Sequence, residues 1–119
     1  MRGRSPLVPE RKRRIPGRFS WIDHRLVRDG YLRGLSAQAQ ALYLFLVTVS
    51  DADGLSWYSE SSACRHLGCD EPSLRRARSE LVDAQLVAYR NPLSQVLGLD
   101  PLREGPIAVI PAGTKGGSR

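Results

Sequence analysis

A chain of 119 residues with 41% hydrophobic content is long enough for one compact domain and too short for two. No window approaches about eighteen consecutive apolar residues, and the basic N-terminus runs into "RIPGRFSW" rather than an apolar signal core, so the expectation is a cytoplasmic protein, neither inserted in a membrane nor exported. The net charge of +6 sits in residues 1–18, where Arg2, Arg4, Arg11, Lys12, Arg13, Arg14 and Arg18 stand against a single Glu10, while from residue 19 onward basic and acidic residues cancel.

That first stretch, "MRGRSPLVPERKRRIPGR", holds too little apolar surface to bury and is expected to be a disordered basic arm. Its charge suits phosphate or minor-groove contact, with Arg11, Lys12, Arg13, Arg14 and Arg18 as the candidate residues. A terminus that merely aids solubility would look the same, and the arm alone does not separate DNA from RNA or an anionic membrane surface.

Order is expected over residues 19–99. "FSWIDHRLVRDG" reads as a short helix carrying Ile22, Leu26 and Val27, with Ser20 as N-cap, an end near Asp29 and Gly30 as C-cap. Tyr31, Leu32 and Leu35 then form a connector, and Ser36 caps "AQAQALYLFLVTVSD", in which Ala39, Leu42, Phe45, Leu46 and Val49 share the core-facing stripe. Its other face is also apolar. Tyr43, Leu44 and Val47 must be covered by the first helix or form a protein interface, which leaves a homodimer open.

"DADGLSWYS" supplies a turn at Gly54 and a strand from Leu55 to Tyr58. Ser59 caps a helix with Ala63, Cys64 and Leu67 inward and Gly68 closing it. Asp70 caps the next helix, Glu71 and Pro72 occupy its first turn, and Leu74, Ala77, Leu81 and Ala84 form its apolar stripe. Two helices joined by a tight Gly-containing turn, the second rich in arginine, make a helix-turn-helix pattern. "LVAYR" and "SQVLGL" follow as a hairpin turning at Asn91-Pro92. The tail, 100–119, is expected to be flexible; only its "PIAVIP" has the makings of an edge strand or docking peptide.

The predicted class is mainly α with a small β-sheet, in the order α-α-β-α-α-β-β, with the short strand joining the hairpin in one three-stranded sheet. That is the winged helix-turn-helix order, the hairpin being the wing. The stretch "SESSACRHLGCDEPSLRRARSELVDAQLVAYR" resembles the DNA-binding motif of winged-helix transcription regulators of the GntR and MarR kind. There a capped helix ends in Leu-Gly, a small or apolar residue and a cap follow, and "LRRA", "EL" and "LV" recur at this spacing. The upstream block from Phe19 to Ser59 is more similar to winged-helix domains of plasmid, phage and transposon replication or helper proteins. The fold also hosts protein-interaction modules, so function must be argued from the exposed face.

On the second helix of the motif, Pro72, Arg75, Arg76 and Ser79 lie furthest from the apolar stripe, with Ser73 and Arg78 flanking it. The resemblance places the N-terminal half of this helix in the major groove, with Pro72, Ser73, Arg75, Arg76 and Ser79 meeting base edges and flanking phosphates. On the helical wheel Arg75 is the candidate base reader and Arg78, beside the core, a phosphate contact. On any helix such a cluster can simply be a solvated face, and an Arg76–Glu80 pair four residues apart would account for one of its members. Asp70 and Glu71 depart from the pattern, because carboxylates there repel phosphate unless they face away or Glu71 accepts from a cytosine amino group. Weaker candidates are Arg90, Asn91, Ser94 and Gln95 on the wing, and Ser59, Ser61 and Arg65 on the helix before the turn.

Enzyme chemistry finds little footing. Cys64, His66 and Cys69 resemble metal ligands in spacing, but no second ligand pair exists and His66 should point away from Cys64. The two cysteines sit too close on a predicted helix-turn to act as a structural staple, which fits a reducing compartment. Neither His24 nor His66 has a serine–acid arrangement beside it, and no Gly-rich phosphate loop is present. The sequence therefore predicts a non-enzymatic, nucleoid-associated protein without cofactor, metal or small-molecule ligand. It would bind double-stranded DNA as a transcriptional regulator or as the recognition component of mobile-element replication, excision or transposition, alone, as a homodimer or within a larger assembly. The competing class is a winged-helix protein-interaction adaptor without base readout.

Overall fold

The computed structural model describes residues 5–14 and 17–99. Arg2, Arg4 and the "PIAVIP" segment lie outside them. The described chain is mainly helical with one small antiparallel sheet: α1 (Arg25–Arg28), α2 (Ala37–Val49), β1 (Leu55–Ser56), α3 (Glu60–Leu67), α4 (Glu71–Asp83), β2 (Val87–Arg90) and β3 (Leu93–Val96). Among the described residues no helix is long and apolar enough to cross a membrane.

Within the arm, Pro9–Arg11 form a single 3-10 turn with no buried residue, an ordered turn where the sequence suggested none. The first helix is shorter than its apolar spacing implied. Ser20 does not cap it; the Asp23 carboxylate takes the Arg25 amide at 2.9 Å and grips the Arg25 guanidinium through Nε at 3.1 Å. Only Leu26 is buried there, while Ile22 and Val27 are exposed. Arg25 Nη2 also donates to Asp23 Oδ2 and, at 3.2 Å, to the Leu99 carbonyl, tying this end of the chain to the exit from the sheet.

This ion pair carries a pH signature. Hydrogen bonds from the Arg25 side chain and amide lower the Asp23 carboxyl to about 2, below the roughly 3.9 of an unfolded aspartate. A depressed acid contributes stability that is full above the unfolded value and is lost as pH falls through the folded one. Asp23→Asn should therefore melt below the parent at pH 7, and the gap should close as melting is repeated down to about pH 2. A gap that persists at that pH would assign the loss to something other than the charge.

Helix α2 begins as its sequence requires: the Ser36 hydroxyl accepts from the Ala39 amide at 3.1 Å, filling one of the unsatisfied donors of the first turn. Its buried face is Ala39, Leu42, Tyr43, Leu46 and Val47, with Phe45 half-buried at the edge, so the core stripe is rotated toward Tyr43 from the one expected. Tyr43 and Val47 line the same cleft as Phe19, Trp21 and Val96, and burial pushes the Tyr43 phenol up from its ordinary value.

The short strand and the hairpin form one three-stranded sheet, as expected, in the order β1-β3-β2. Strand β1 stops at Ser56, so Trp57 and Tyr58 leave the sheet and are exposed. Gly54 explains how the turn before β1 reaches β3: its carbonyl accepts from the Val96 amide at 2.8 Å, its φ is +84°, and a Cβ there would meet the Val96 carbonyl oxygen at 2.6 Å. Asn91 and Pro92 turn the hairpin through a cis peptide bond, setting Arg90 opposite Leu93 and Tyr89 opposite Ser94.

The core gathers Leu26, the α2 stripe, Ala63, the α4 residues Leu74, Ala77 and Leu81, and Leu86 and Val87 after α4. Helices α2 and α4 share the most extensive contact, and Leu81 is fully buried between them and the sheet.

Candidate nucleic-acid interface

Two helix ends position the candidate surface. The Ser59 hydroxyl caps α3 by accepting from the Ser62 amide at 3.1 Å, and Gly68 ends it in the left-handed conformation at φ 70° and ψ 39°, a geometry that costs glycine little. The Asp70 carboxylate then accepts from the Ser73 amide at 2.9 Å, starting α4, and donors from Ser73 hold its carboxyl below the usual range.

The helix thus started buries Leu74, Ala77 and Leu81 and exposes Pro72, Arg75, Arg76 and Ser79. Ser73 is half-buried. The three arginines of "LRRAR" have separate surroundings. Arg75 lies between two acids, its Nε and Nη2 donating to Glu60 at 3.2 and 2.9 Å and its Nη2 also to Glu71 at 3.0 Å. Only Nη1 has no hydrogen-bond partner among the described residues. A side-by-side fork onto a guanine edge requires two neighbouring donors, so such a contact displaces the Glu71 carboxylate.

Arg78 departs from the expected phosphate contact. Its side chain is only 17% exposed; Nη2 donates to Glu60 at 2.9 Å and the guanidinium lies over the Tyr89 ring, 3.9 Å from its centroid. This is an arginine that joins α4 to α3 and to the hairpin. Glu60 sits between Arg75 and Arg78, and their hydrogen bonds hold its carboxyl below the ordinary value. The Tyr89 hydroxyl continues the chain of contacts to Asn91 Oδ1 at 3.2 Å.

The expected Arg76–Glu80 pair is replaced by different partners. Glu80 instead accepts from the Ser36 amide at 2.8 Å and the Ser36 hydroxyl at 2.6 Å, which lowers its pKa and locks the α2 cap onto α4. Among the described residues Arg76 is left with one side-chain bond, from Nη2 to the Ser73 hydroxyl at 3.1 Å. Its guanidinium is the least engaged of the three.

On the hairpin Arg90, Asn91 and Gln95 are exposed, but Ser94 is buried and pairs in register with Ser56, which takes it out of the contact surface. Ser61 and Arg65 on α3 are exposed; the Ser59 hydroxyl is occupied as the cap. In the arm Arg11, Lys12, Arg13, Arg14 and Arg18 are exposed. Of the three interface candidates on α2, Tyr43 and Val47 are buried within the chain and Leu44 alone is exposed. His66 stacks in an aromatic group, 5.6 Å from the Phe45 ring and 5.8 Å from that of Tyr58. Among the described residues no group of three or more His, Cys, Asp or Glu is arranged to hold a metal ion.

Glu60 and Tyr89 are the residues that sequence reasoning missed. An acid in the first turn of a helix is accounted for by the helix dipole, and nothing local points from Glu60 to arginines 15 and 18 positions away. No family model, no curated protein and no solved structure matches the chain.

Proposed function

We propose that the chain is a winged helix-turn-helix protein that binds double-stranded DNA sequence-specifically, with the N-terminal half of α4 in the major groove and the basic arm on the phosphate backbone. The element order, with β1 joined to the β2–β3 hairpin, is the one this fold requires. The observation that carries the reading is the pair Arg75 and Arg76, exposed at the start of a helix whose position is fixed by its cap, its turn and the Glu60 link to α3.

Of the carboxylates that would repel phosphate, Asp70 is engaged on the Ser73 amide, while Glu71, paired with Arg75 in the free chain, is released when Arg75 turns to a base and can then accept from a cytosine amino group. Arg75 is held in one orientation, as a base-reading side chain needs to be; Arg76 suits a phosphate. The protein would act as a transcriptional regulator or as the DNA-recognising part of mobile-element replication, excision or transposition. The adaptor reading is weakened by the burial of Tyr43 and Val47.

Gel-shift titration against random duplex and against the promoter region of the chain's own gene separates the two. The proposal expects retardation of both, tighter for one defined sequence. An adaptor without DNA contact would shift neither.

A further inference from the structure

The turn between α3 and α4 brings together two residues whose chemistry DNA binding leaves unused. Behind Gly68 the chain doubles back, and the Gly68 and Cys69 amides both donate to the Cys64 carbonyl, at 2.7 and 3.2 Å. The second of these bonds closes six residues, the motif that sets the side chains flanking a left-handed helix end against one another. At this helix end both are cysteines. They are free and half-buried at the margin of the core, and burial, helped by the neighbouring Cys69, pushes the Cys64 thiol up from its ordinary value.

We propose that Cys64 and Cys69 form a reversible thiol-oxidation site, closing to an intrachain disulfide across Gly68 by exchange with a low-molecular-weight disulfide. Bridged cysteines need Cβ atoms about 3.5–4.5 Å apart, and a turn closed by the Cys69 amide on the Cys64 carbonyl sets the two side chains against one another across Gly68. One thiolate attacks the external disulfide, forming a mixed disulfide and releasing one thiolate. The second cysteine displaces the other. Two protein thiols are oxidised, one external disulfide is reduced to two thiols, and the protons end on the released thiols. Burial, the neighbouring thiol and the charges of Glu71 and Glu60 push Cys64 up from its ordinary value; whichever cysteine attacks first, the other resolves the mixed disulfide. The bond fastens the last turn of α3 to the residue before the α4 cap, and it stands whether or not α4 enters DNA.

The test is to equilibrate the full chain in glutathione buffers of graded ratio, with and without guanidinium chloride, quench by alkylation and weigh the intact chain. Because the folded turn holds the thiols together, the expected exchange constant for ring closure is about tenfold or more above that of the unfolded chain, a difference of about 30 mV. Cys64→Ser should instead trap glutathione on Cys69. A folded chain that stays reduced, that oxidises no more readily than the unfolded one, or that stops at a glutathione adduct would overturn the proposal.

Discussion

Removing residues 1–18 should lower the slope of log K against log salt from near −5 to near −2. If the whole chain neutralises about six phosphates, of which the arm supplies about four, counterion release gives roughly −0.9 per contact. Between 50 and 200 mM salt the full chain would then lose about a thousandfold in affinity and the shortened chain only about tenfold. The premise is the charge distribution: the arm carries the entire net excess, with its cations from Arg11 to Arg14 exposed. On α4, by contrast, Arg75 faces Glu60 and Glu71, and Arg78 is held against Glu60. A shortened chain with an unchanged slope would remove the arm from the DNA contact.

The second large effect concerns stability. Leu81→Ala should cost about 2–5 kcal/mol, the range for deleting a fully buried leucine side chain that leaves a cavity. Leu81 is at 0% exposure beside Leu74, Ala77 and the fully buried Leu86 and Val87, so its surroundings have little freedom to collapse inward. A small domain has only about 5–15 kcal/mol in total, and the loss should appear as a large drop in the urea midpoint with the slope retained. Val82→Ala on the same helix, 39% exposed, is the internal comparison and should shift the midpoint little. Equal shifts would mean that α4 does not pack as described.

Features legible from the sequence were those set by near neighbours. Ser36, Ser59 and Asp70 cap their helices through amides three residues on, and Gly68 ends α3, because these are local contests between a side chain and the first or last turn. The α4 stripe and the Asn91-Pro92 hairpin followed from period and turn chemistry. The misread features depend on distant partners. Ser20, a cap by residue type, is the near-neighbour exception: the helix begins only at Arg25, whose amide and guanidinium bind the Asp23 carboxylate two residues before it. On α2 both faces are apolar, so periodicity could not say that Tyr43 would be buried and Leu44 exposed. Glu80 has Arg76 four residues away on its own helix yet binds Ser36, 44 positions distant, because the α2–α4 packing delivers two converging donors. The same limit hid Glu60, which makes Arg78 a structural residue and Arg75 a braced one.

On the proposed function α4 reads sequence through Arg75. Duplexes selected from a random pool by the full chain should bind the Arg75→Ala variant about tenfold to a hundredfold more weakly, while random duplex, held by the arm, binds both nearly alike. If Arg75→Ala keeps the parent's affinity and preference for the selected duplex, α4 does not read DNA in the way described.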